Sequence, residues 1–307
     1  MTQHHLAGPG PGTPVPFGRL LTAMVTPLSD DGSLDLDGAA RLASYLVDEQ
    51  ANDALVISGT TGESPTTTDE EKEQLLRVVI EAVGDRARVV AGVGTNDTRH
   101  TIELAAAAEK AGAHGLLVVT PYYNKPPQAG LVRHFTEVAD ATGLPVMAYD
   151  IPHRAGVALT SETLARIAEH ERIVAVKDAK GDLAATSWVT SRTDLAFYCG
   201  DDPLTLPALA IGGVGLVGTS THLTGALTKQ MIEAYVAGDH AAALALHRRL
   251  LPLFTGIFRA PGTILVKAAL AVLGLPAGPV RSPLVDATEA ELDQLRTDCA
   301  DAGLELP

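Results

Sequence analysis

The sequence is poor in cysteine and in positive charge, and it has no long apolar run. Two cysteines in 307 residues cannot form a disulfide scaffold, and they suit a reducing compartment such as the cytoplasm. Because 37 acidic residues outweigh 23 basic ones, the formal net charge is −14, which argues against nucleic acid and anionic membranes as partners. No apolar run approaches the roughly 20 residues of a membrane span, and the first residues lack a secretory signal. These shortages favour a cytoplasmic protein and leave small anionic substrates open.

Aromatic residues are also scarce, at 4%, whereas apolar residues reach 46%. The core must therefore be built from alanine, valine, leucine and isoleucine, as is common in α/β proteins. Residues 1–18 are rich in glycine, proline and histidine, and we predict that they form a disordered tail.

From Leu20 onward, short apolar runs alternate with amphipathic segments. The predicted strands are Leu20–Thr26, Ala54–Ser58, Arg88–Val93, Gly115–Thr120, Pro145–Tyr149, Ile173–Lys177, Leu195–Tyr198 and Val214–Gly218. The predicted helices between them are Asp35–Gln50, Thr68–Val83, Thr98–Ala111, Gln128–Thr142, Ser161–His170, Asp182–Arg192 and Pro203–Ile211. Eight such units predict an α/β fold, a (β/α)8 TIM barrel over residues 19–226, with a doubly wound sheet as the alternative.

Beyond the barrel the pattern becomes purely helical. Residues 227–307 are predicted to form a C-terminal helical region that packs on the barrel or on a partner subunit. Its predicted helices are Leu227–Ala237, His240–Leu251, Thr263–Leu273 and Glu289–Ala302.

One polar side chain interrupts the buried strand pattern. Lys177 ends the β-branched run that begins at Ile173, where a charge is costly unless it has a use. Partial burial lowers the pKa of a lysine, so that its neutral amine can attack a carbonyl and form a Schiff base. The alternative is a lysine whose ammonium group reaches water at the strand end.

Other polar residues follow neighbouring strands, at the barrel end where active sites of this fold lie. Thr60 and Thr61 stand between glycines and could cradle a carboxylate, or form a simple turn. Tyr149 could transfer protons, and Arg154 could bind a carboxylate with two hydrogen bonds. Asp202 is predicted to be a helix N-cap and not a catalytic group.

Two adjacent tyrosines, Tyr122 and Tyr123, follow the fourth strand. Neighbouring side chains point in opposite directions, so that one could face the site and the other a neighbour, or both could pack on the next helix. Apart from these two tyrosines, one set of polar residues falls at strand ends of a single barrel and suits an imine-forming lyase that acts on a small keto acid: Lys177, Tyr149, Thr60, Thr61 and Arg154. The histidines and cysteines lack metal-ligand spacing, so we predict no metal and no cofactor, and a structural role for His222.

The sequence resembles the pyruvate-dependent class I aldolases, the family of dihydrodipicolinate synthase and N-acetylneuraminate lyase. The similarity runs from about Leu20 to the C-terminus. It rests on GTTGESPT at 59–66, TPYYNKPPQ at 120–128, YDIPHRAG at 149–156, VKDA at 176–179 and GDD at 200–202.

The resemblance implies a role for each matching residue. Lys177 forms a Schiff base with pyruvate, while Thr60, Tyr149 and Tyr123 relay protons, the last across a dimer interface. Thr61 binds the pyruvate carboxylate, Arg154 binds the carboxylate of L-aspartate 4-semialdehyde, and the backbone around Gly200 and Val217 lines the pyruvate pocket. The implied reaction is the condensation of these two substrates in lysine and diaminopimelate biosynthesis, by a homotetramer made of two dimers.

Two other readings stay open. The same imine could serve a lyase of a 2-keto-3-deoxy sugar acid or of N-acetylneuraminate, although a guanidinium at position 154 suits a compact second carboxylate better. Alternatively, the barrel could have lost catalysis and have a binding role, against which the intact set of site residues argues.

The sequence also departs from its relatives at two places. Gly218 stands where relatives usually carry serine, which is expected to soften the wall of the pocket. Relatives that are inhibited by lysine bind it near the positions of Ser64, Asn96 and Tyr122. The histidine and glutamate that complete that pocket are replaced here by Asp69 and His100, and lysine feedback is therefore not expected.

Overall fold

The structure, a computed structural model, describes residues 15–307. Eight parallel strands form a closed barrel in sequence order, with β8 hydrogen-bonded to β1. The strands are β1 (Leu20–Ala23), β2 (Ala54–Ile57), β3 (Arg88–Gly92), β4 (Gly115–Val119), β5 (Val146–Asp150), β6 (Ile173–Asp178), β7 (Ala196–Cys199) and β8 (Gly215–Gly218). The predicted (β/α)8 barrel is confirmed, and the strand bounds differ from the predicted ones by three residues at most.

Helices alternate with the strands. They are α1 (Leu36–Asp48), α2 (Asp69–Val83), α3 (Thr98–Ala111), α4 (Gln128–Asp140), α5 (Pro152–Ala155), α6 (Ser161–Ile167), α7 (Leu183–Thr190) and α8 (Thr205–Ala210). Thr68 caps α2, and its hydroxyl and the Glu71 carboxylate exchange hydrogen bonds with each other's backbone N–H groups. The short helix α5 was not predicted, because four residues are too few for a helical period to be visible.

Four longer helices follow the barrel: α9 (Thr221–Val236), α10 (His240–Gly256), α11 (Gly262–Val272) and α12 (Glu289–Asp301). Helix α9 packs on β1 and on α10, so that the helical region continues the barrel's outer layer. Helix α10 runs past Pro252 to Gly256, although the sequence predicted its end at Leu251. The residue before a proline is biased away from the helical conformation, which is why that end was predicted too early.

The barrel has two apolar layers because neighbouring side chains of a strand point to opposite faces. Tyr149 and Val217 belong to the cluster inside the barrel. Leu216, next to Val217, packs with Leu250 and Phe254 outside it. This alternation decides which residues at the strand ends can reach the barrel mouth.

The predicted domain limits differ from the observed packing at two places. Phe17 lies in the segment predicted to be a disordered tail, yet it is buried at the bottom of the barrel, where its backbone N–H donates to the Tyr198 hydroxyl. The glycine-rich composition around it obscured this single anchor. The limit predicted at residue 226 falls inside helix α9. Residues 1–14 of the predicted tail lie outside the described residues.

Candidate active site

Lys177 projects into the barrel near the end of β6. Its side chain is buried, and its Nζ lies 4.4 Å from the centroid of the Tyr149 ring. Within residues 15–307, no carboxylate lies at ion-pair distance from this Nζ. Burial lowers the pKa of Lys177 to about 8, although the charge of Asp202 acts in the opposite direction. A lysine of this kind is neutral far more often than an exposed one, and its amine is therefore nucleophilic.

Tyr149 lies on β5 directly beside Lys177 in the strand register. Burial raises the pKa of its phenol to about 12, while a hydrogen bond with Thr60 and the charge of Arg154 lower it in part. The phenol therefore stays protonated at neutral pH. Hydrogen-bonded to Thr60 and next to an amine, it can receive and pass on a proton.

The loop after β2 presents the two threonines. Thr60 is exposed at the barrel mouth, whereas Thr61 is buried with its Oγ1 3.2 Å from the Oγ1 of Thr219. Glycine at position 62 lets this loop pack closely, since a Cβ there would lie 3.0 Å from the carbonyl oxygen of Met24. Hydroxyl and amide groups held in a tight loop are suitable donors for a carboxylate.

Gly200 lies beside Lys177, and Val217 lies in the same inner layer as Tyr149. A Cβ at Gly200 would lie 3.1 Å from Cγ of Lys177 and 3.0 Å from Cβ of Ala179, so any side chain there would press on the lysine stem. Val217 is buried in the inner cluster that includes Tyr149. Glycine at position 200 thus leaves room for the lysine stem.

A cavity of about 800 Å³ opens at this end of the barrel. Thr60, Tyr149, Tyr123 and Arg154 line it, and the side chain of Arg154 is exposed on the short helix α5. Four predicted site residues are not among the residues that line this cavity: Lys177, Thr61, Gly200 and Val217. The Nζ of Lys177 adjoins the cavity through Tyr149, since it lies 4.4 Å from the centroid of that ring. The arginine at the mouth suits an anionic substrate.

Tyr123 projects from the molecule and is 89% exposed. Its φ of +73° lies in the left-handed region, where a bulky residue costs about 1–3 kcal/mol. A hydrogen bond from its N–H to the carbonyl of Ala155 holds this conformation. Tyr123 is therefore held in a strained backbone conformation in which its aromatic side chain points into solvent.

Asp202 is not the N-cap that its position after β7 suggested. It is the first residue of a short 3-10 turn whose N-cap position is Asp201, and its buried carboxylate accepts hydrogen bonds from the N–H groups of Thr219 and Ser220. The Ser220 hydroxyl donates to the same carboxylate. These partners follow β8, which the closed barrel places beside β7, and local sequence could not indicate them. Asp202 thereby fixes Thr219, which contacts Thr61.

Gly218 does not shape the pocket wall, contrary to the expectation from its departure from relatives. A Cβ at this position would lie 2.6 Å from Cγ2 of Thr221 and 2.9 Å from Cδ2 of Leu216. These atoms lie on the outer side of β8, because Gly218 alternates with Val217. Glycine here makes room for Thr221, whose hydroxyl accepts a hydrogen bond from Thr22.

Several further polar groups surround the site. His222 is a structural residue, as predicted, since its Nε2 accepts from the N–H of Val25 and its Nδ1 lies 2.8 Å from the carbonyl oxygen of Thr219. Near the mouth, Nε2 of His100 lies 2.7 Å from the Asp69 carboxylate. In residues 15–307, no group of three or more metal-ligating side chains is assembled.

A closed (β/α)8 barrel with a buried, unpaired lysine beside a tyrosine defines the class of Schiff-base-forming barrel enzymes. Comparison with known proteins narrows this class. The family model for the dihydrodipicolinate synthetase family matches residues 16–302, and the chain belongs to that family. The family resemblance found in the motifs is thus confirmed.

Individual relatives agree with the family match over nearly the whole chain. The 4-hydroxy-tetrahydrodipicolinate synthase of Acidothermus cellulolyticus is 72% identical over 290 residues, covering 94% of each chain. The crystal structure of the enzyme from Cyanidioschyzon merolae with lysine bound has a TM-score of 0.92 at 43% identity, covering 95% of this chain and 100% of that one. The chloride-inhibited enzyme of Acinetobacter baumannii complexed with pyruvate has a TM-score of 0.90 at 34% identity, covering 94% and 99%.

Proposed function

We propose that this chain is a 4-hydroxy-tetrahydrodipicolinate synthase, a lyase that condenses pyruvate with L-aspartate 4-semialdehyde in lysine and diaminopimelate biosynthesis. The observation that carries the proposal is Lys177, which is buried beside Tyr149 with no carboxylate of residues 15–307 at ion-pair distance. The 72% identity to a curated synthase supports the choice of reaction. The complex of the Acinetobacter baumannii enzyme with pyruvate supports the first substrate.

The reaction begins with attack of the neutral Lys177 amine on the keto carbon of pyruvate. The carbonyl oxygen leaves as water, and the imine forms. Thr61 holds the pyruvate carboxylate through its hydroxyl and amide, and Gly200 and Val217 border the space beside the lysine. Loss of a proton from the methyl carbon then gives an enamine, whose new nucleophile is that carbon.

The second half of the reaction joins the two substrates. Arg154 holds the carboxylate of L-aspartate 4-semialdehyde at the mouth, and the enamine carbon attacks its aldehyde. Thr60, Tyr149 and Tyr123 carry protons to and from the new hydroxyl and the nitrogen atoms. The amine of the second substrate finally displaces Lys177, which closes the ring and frees the enzyme.

The assembly is part of the proposal. Tyr123 is exposed in the single chain and held in a strained conformation, as expected for a side chain that completes the site of a neighbouring subunit. We propose a homotetramer of two dimers in the cytoplasm. In the part of the chain that the structure describes, no helix is long and apolar enough to cross a membrane.

Borohydride reduction in the presence of pyruvate, followed by intact mass measurement and peptide mapping, tests the first step. We expect one pyruvate-derived adduct for each chain, on Lys177. An adduct on another residue would contradict the role given to Lys177, and no adduct at all would favour the barrel with a binding role.

The choice of acceptor has its own test. The enzyme loaded with pyruvate is offered L-aspartate 4-semialdehyde or the aldehydes of sugar acids and of N-acetylmannosamine, and turnover is compared. Arg154→Met should raise the KM for L-aspartate 4-semialdehyde roughly 10- to 100-fold, since it removes a charge-assisted pair of hydrogen bonds, and should change that for pyruvate little. Faster turnover with a sugar aldehyde would select the alternative lyase.

A further inference from the structure

The loop that carries Thr60 and Thr61 is held from behind by the C-terminal helical region. The carbonyl oxygen of Thr61 accepts a hydrogen bond from Oγ1 of Thr263, 3.0 Å away. The next carbonyl, that of Gly62, accepts from Oγ1 of Thr26 at 2.7 Å. The backbone is therefore fixed immediately behind the hydroxyls that face the site.

Glu63, which ends this loop, forms a buried ion pair with the same helix. Its Oε1 lies 2.6 Å from Nζ of Lys267, and only 2% of either side chain is exposed. Its Oε2 accepts from the N–H of Arg281, and Lys267 also donates to the carbonyl of Pro279. Glu63 has a φ of +57°, so the pair fixes a loop residue in a conformation that a non-glycine residue rarely adopts.

Thr263 and Lys267 are four residues apart in α11 and so lie on one face of it. Both are buried, and both contact the loop that follows β2. One rigid helix face therefore determines where the backbone of Thr61 and Glu63 lies.

A buried ion pair is weak evidence for stability, because removing two charges from water costs about as much as their attraction returns. Such a pair does fix geometry, since its two partners must stay together. A displacement of about 1 Å in a substrate-positioning group can reduce a rate by two orders of magnitude. The contacts of α11 are thus better explained by a need to place the backbone of the loop after β2 precisely than by a contribution to the stability of the fold.

We infer that Thr263 and Lys267 are positioning residues, which hold Thr60 and Thr61 in the arrangement that receives the carboxylate of the keto-acid substrate. Neither residue touches substrate; both act through the loop. This inference rests on the proposed function, because the substrate at the loop is taken to be pyruvate. The helical region outside the barrel thereby helps to position the loop that binds the substrate.

The test measures how imine formation in Thr263→Val depends on the concentration of pyruvate, with the imine detected by borohydride trapping. Valine keeps the shape and removes the hydroxyl, so the concentration of pyruvate for half-maximal trapping should rise about 3- to 10-fold. The KM for L-aspartate 4-semialdehyde should stay unchanged, since Arg154 is on a different loop. Thr263→Ser keeps the donor and should behave like the wild-type protein.

Thr163→Val is the matched control. Thr163 is as buried as Thr263 but donates to Gln128 on the outer helices, so its loss should leave pyruvate trapping unchanged. Glu63→Gln, which keeps the shape and the acceptor for Arg281, is a second variant should Thr263→Val fail to fold, and it should also weaken pyruvate trapping. Equal pyruvate dependence in wild type, Thr263→Val and Glu63→Gln would overturn the inference. Absence of any adduct in the wild-type protein would instead overturn the proposed function.

Discussion

The barrel and the C-terminal helical region each bury one lysine, and the two lysines differ in what surrounds them. Lys177 lies inside the barrel with no carboxylate at ion-pair distance among the described residues, and over the face of a tyrosine. Lys267 lies under the rim with the Glu63 carboxylate 2.6 Å from its Nζ. The two lysines are buried to nearly the same extent, but among the described residues only Lys267 has a carboxylate at ion-pair distance.

This difference separates a reactive amine from a structural one. Burial lowers the pKa of both lysines, but at Lys267 the hydrogen bond and the charge of Glu63 act in the opposite direction. A paired lysine is held in its charged form more strongly than an unpaired one. An unpaired one loses its proton readily and becomes a nucleophile. A buried lysine is therefore a candidate nucleophile when no carboxylate lies at ion-pair distance from its amine, as at Lys177 among the described residues.

Replacing Lys177 should have the largest effect on activity and the least on folding. Lys177→Met removes the nucleophile, so turnover should fall by about three orders of magnitude or more and the pyruvate adduct should disappear. The free energy of unfolding in urea should stay the same or rise, because an apolar side chain replaces an unpaired buried amine. Turnover near the wild-type level would show that the amine is not the nucleophile.

Replacing Lys267 should have the opposite profile. Lys267→Met leaves Glu63 as an uncompensated buried charge, so the free energy of unfolding should fall by about 3–5 kcal/mol. Trapped pyruvate should still be found on Lys177 in the fraction that folds. Urea denaturation and peptide mapping measure the two effects separately.

Two variants sharpen that measurement. Glu63→Gln/Lys267→Met should recover part of the stability, because no unpaired charge remains. Lys229→Met is the matched control, since Lys229 pairs with Asp53 at the other end of β2 but with side chains that are 17% and 31% exposed. Its cost should be about 1 kcal/mol or less. Equal losses for Lys267→Met and Lys229→Met would contradict the role given to burial.

The sequence predicted the reactive lysine better than the structural one. Lys177 ends an apolar strand, and a strand of five or six residues shows such an interruption clearly. Lys267 also stands in an apolar segment, Thr263–Val272. A helix commonly bears a lysine on its polar face, so the sequence does not indicate that this lysine is buried. Its partner Glu63 is distant in sequence, and only the closed fold brings them together.

Alternation along strands explains one wrong prediction. Val217 is buried inside the barrel with Tyr149, and its place at the wall of the pyruvate pocket stays a prediction. Gly218 was placed at the same wall, although the two-residue period of a strand already puts it on the outer side. The bonds of Asp202 to Thr219 and Ser220 were beyond sequence reasoning, since they depend on how β7 and β8 lie side by side.

The pH dependence of imine formation reports the surroundings of Lys177 directly. Its pKa is about 8 instead of the ordinary 10.5, because the charged form is disfavoured by burial. The rate of pyruvate trapping should therefore rise as pH increases through about 8 and level off above it, as the amine loses its proton. Lys267→Met should leave this midpoint unchanged. A midpoint near 10 would show that Lys177 is solvated, and the contrast between the two lysines would fail.

A half-exposed Asp–His pair at the same rim extends the comparison and should have the smallest effect. Asp69 and His100 lie 2.7 Å apart, with side chains 49% and 37% exposed, so their pairing contributes little to stability. The acidic residue and the histidine stand in exchanged positions relative to the histidine and glutamate of lysine-inhibited relatives, so L-lysine should leave the initial rate unchanged. Asp69→His/His100→Glu restores that arrangement and should introduce inhibition by L-lysine without changing the pyruvate dependence. Strong inhibition of the wild-type protein would show that the reversed pair still accepts the effector.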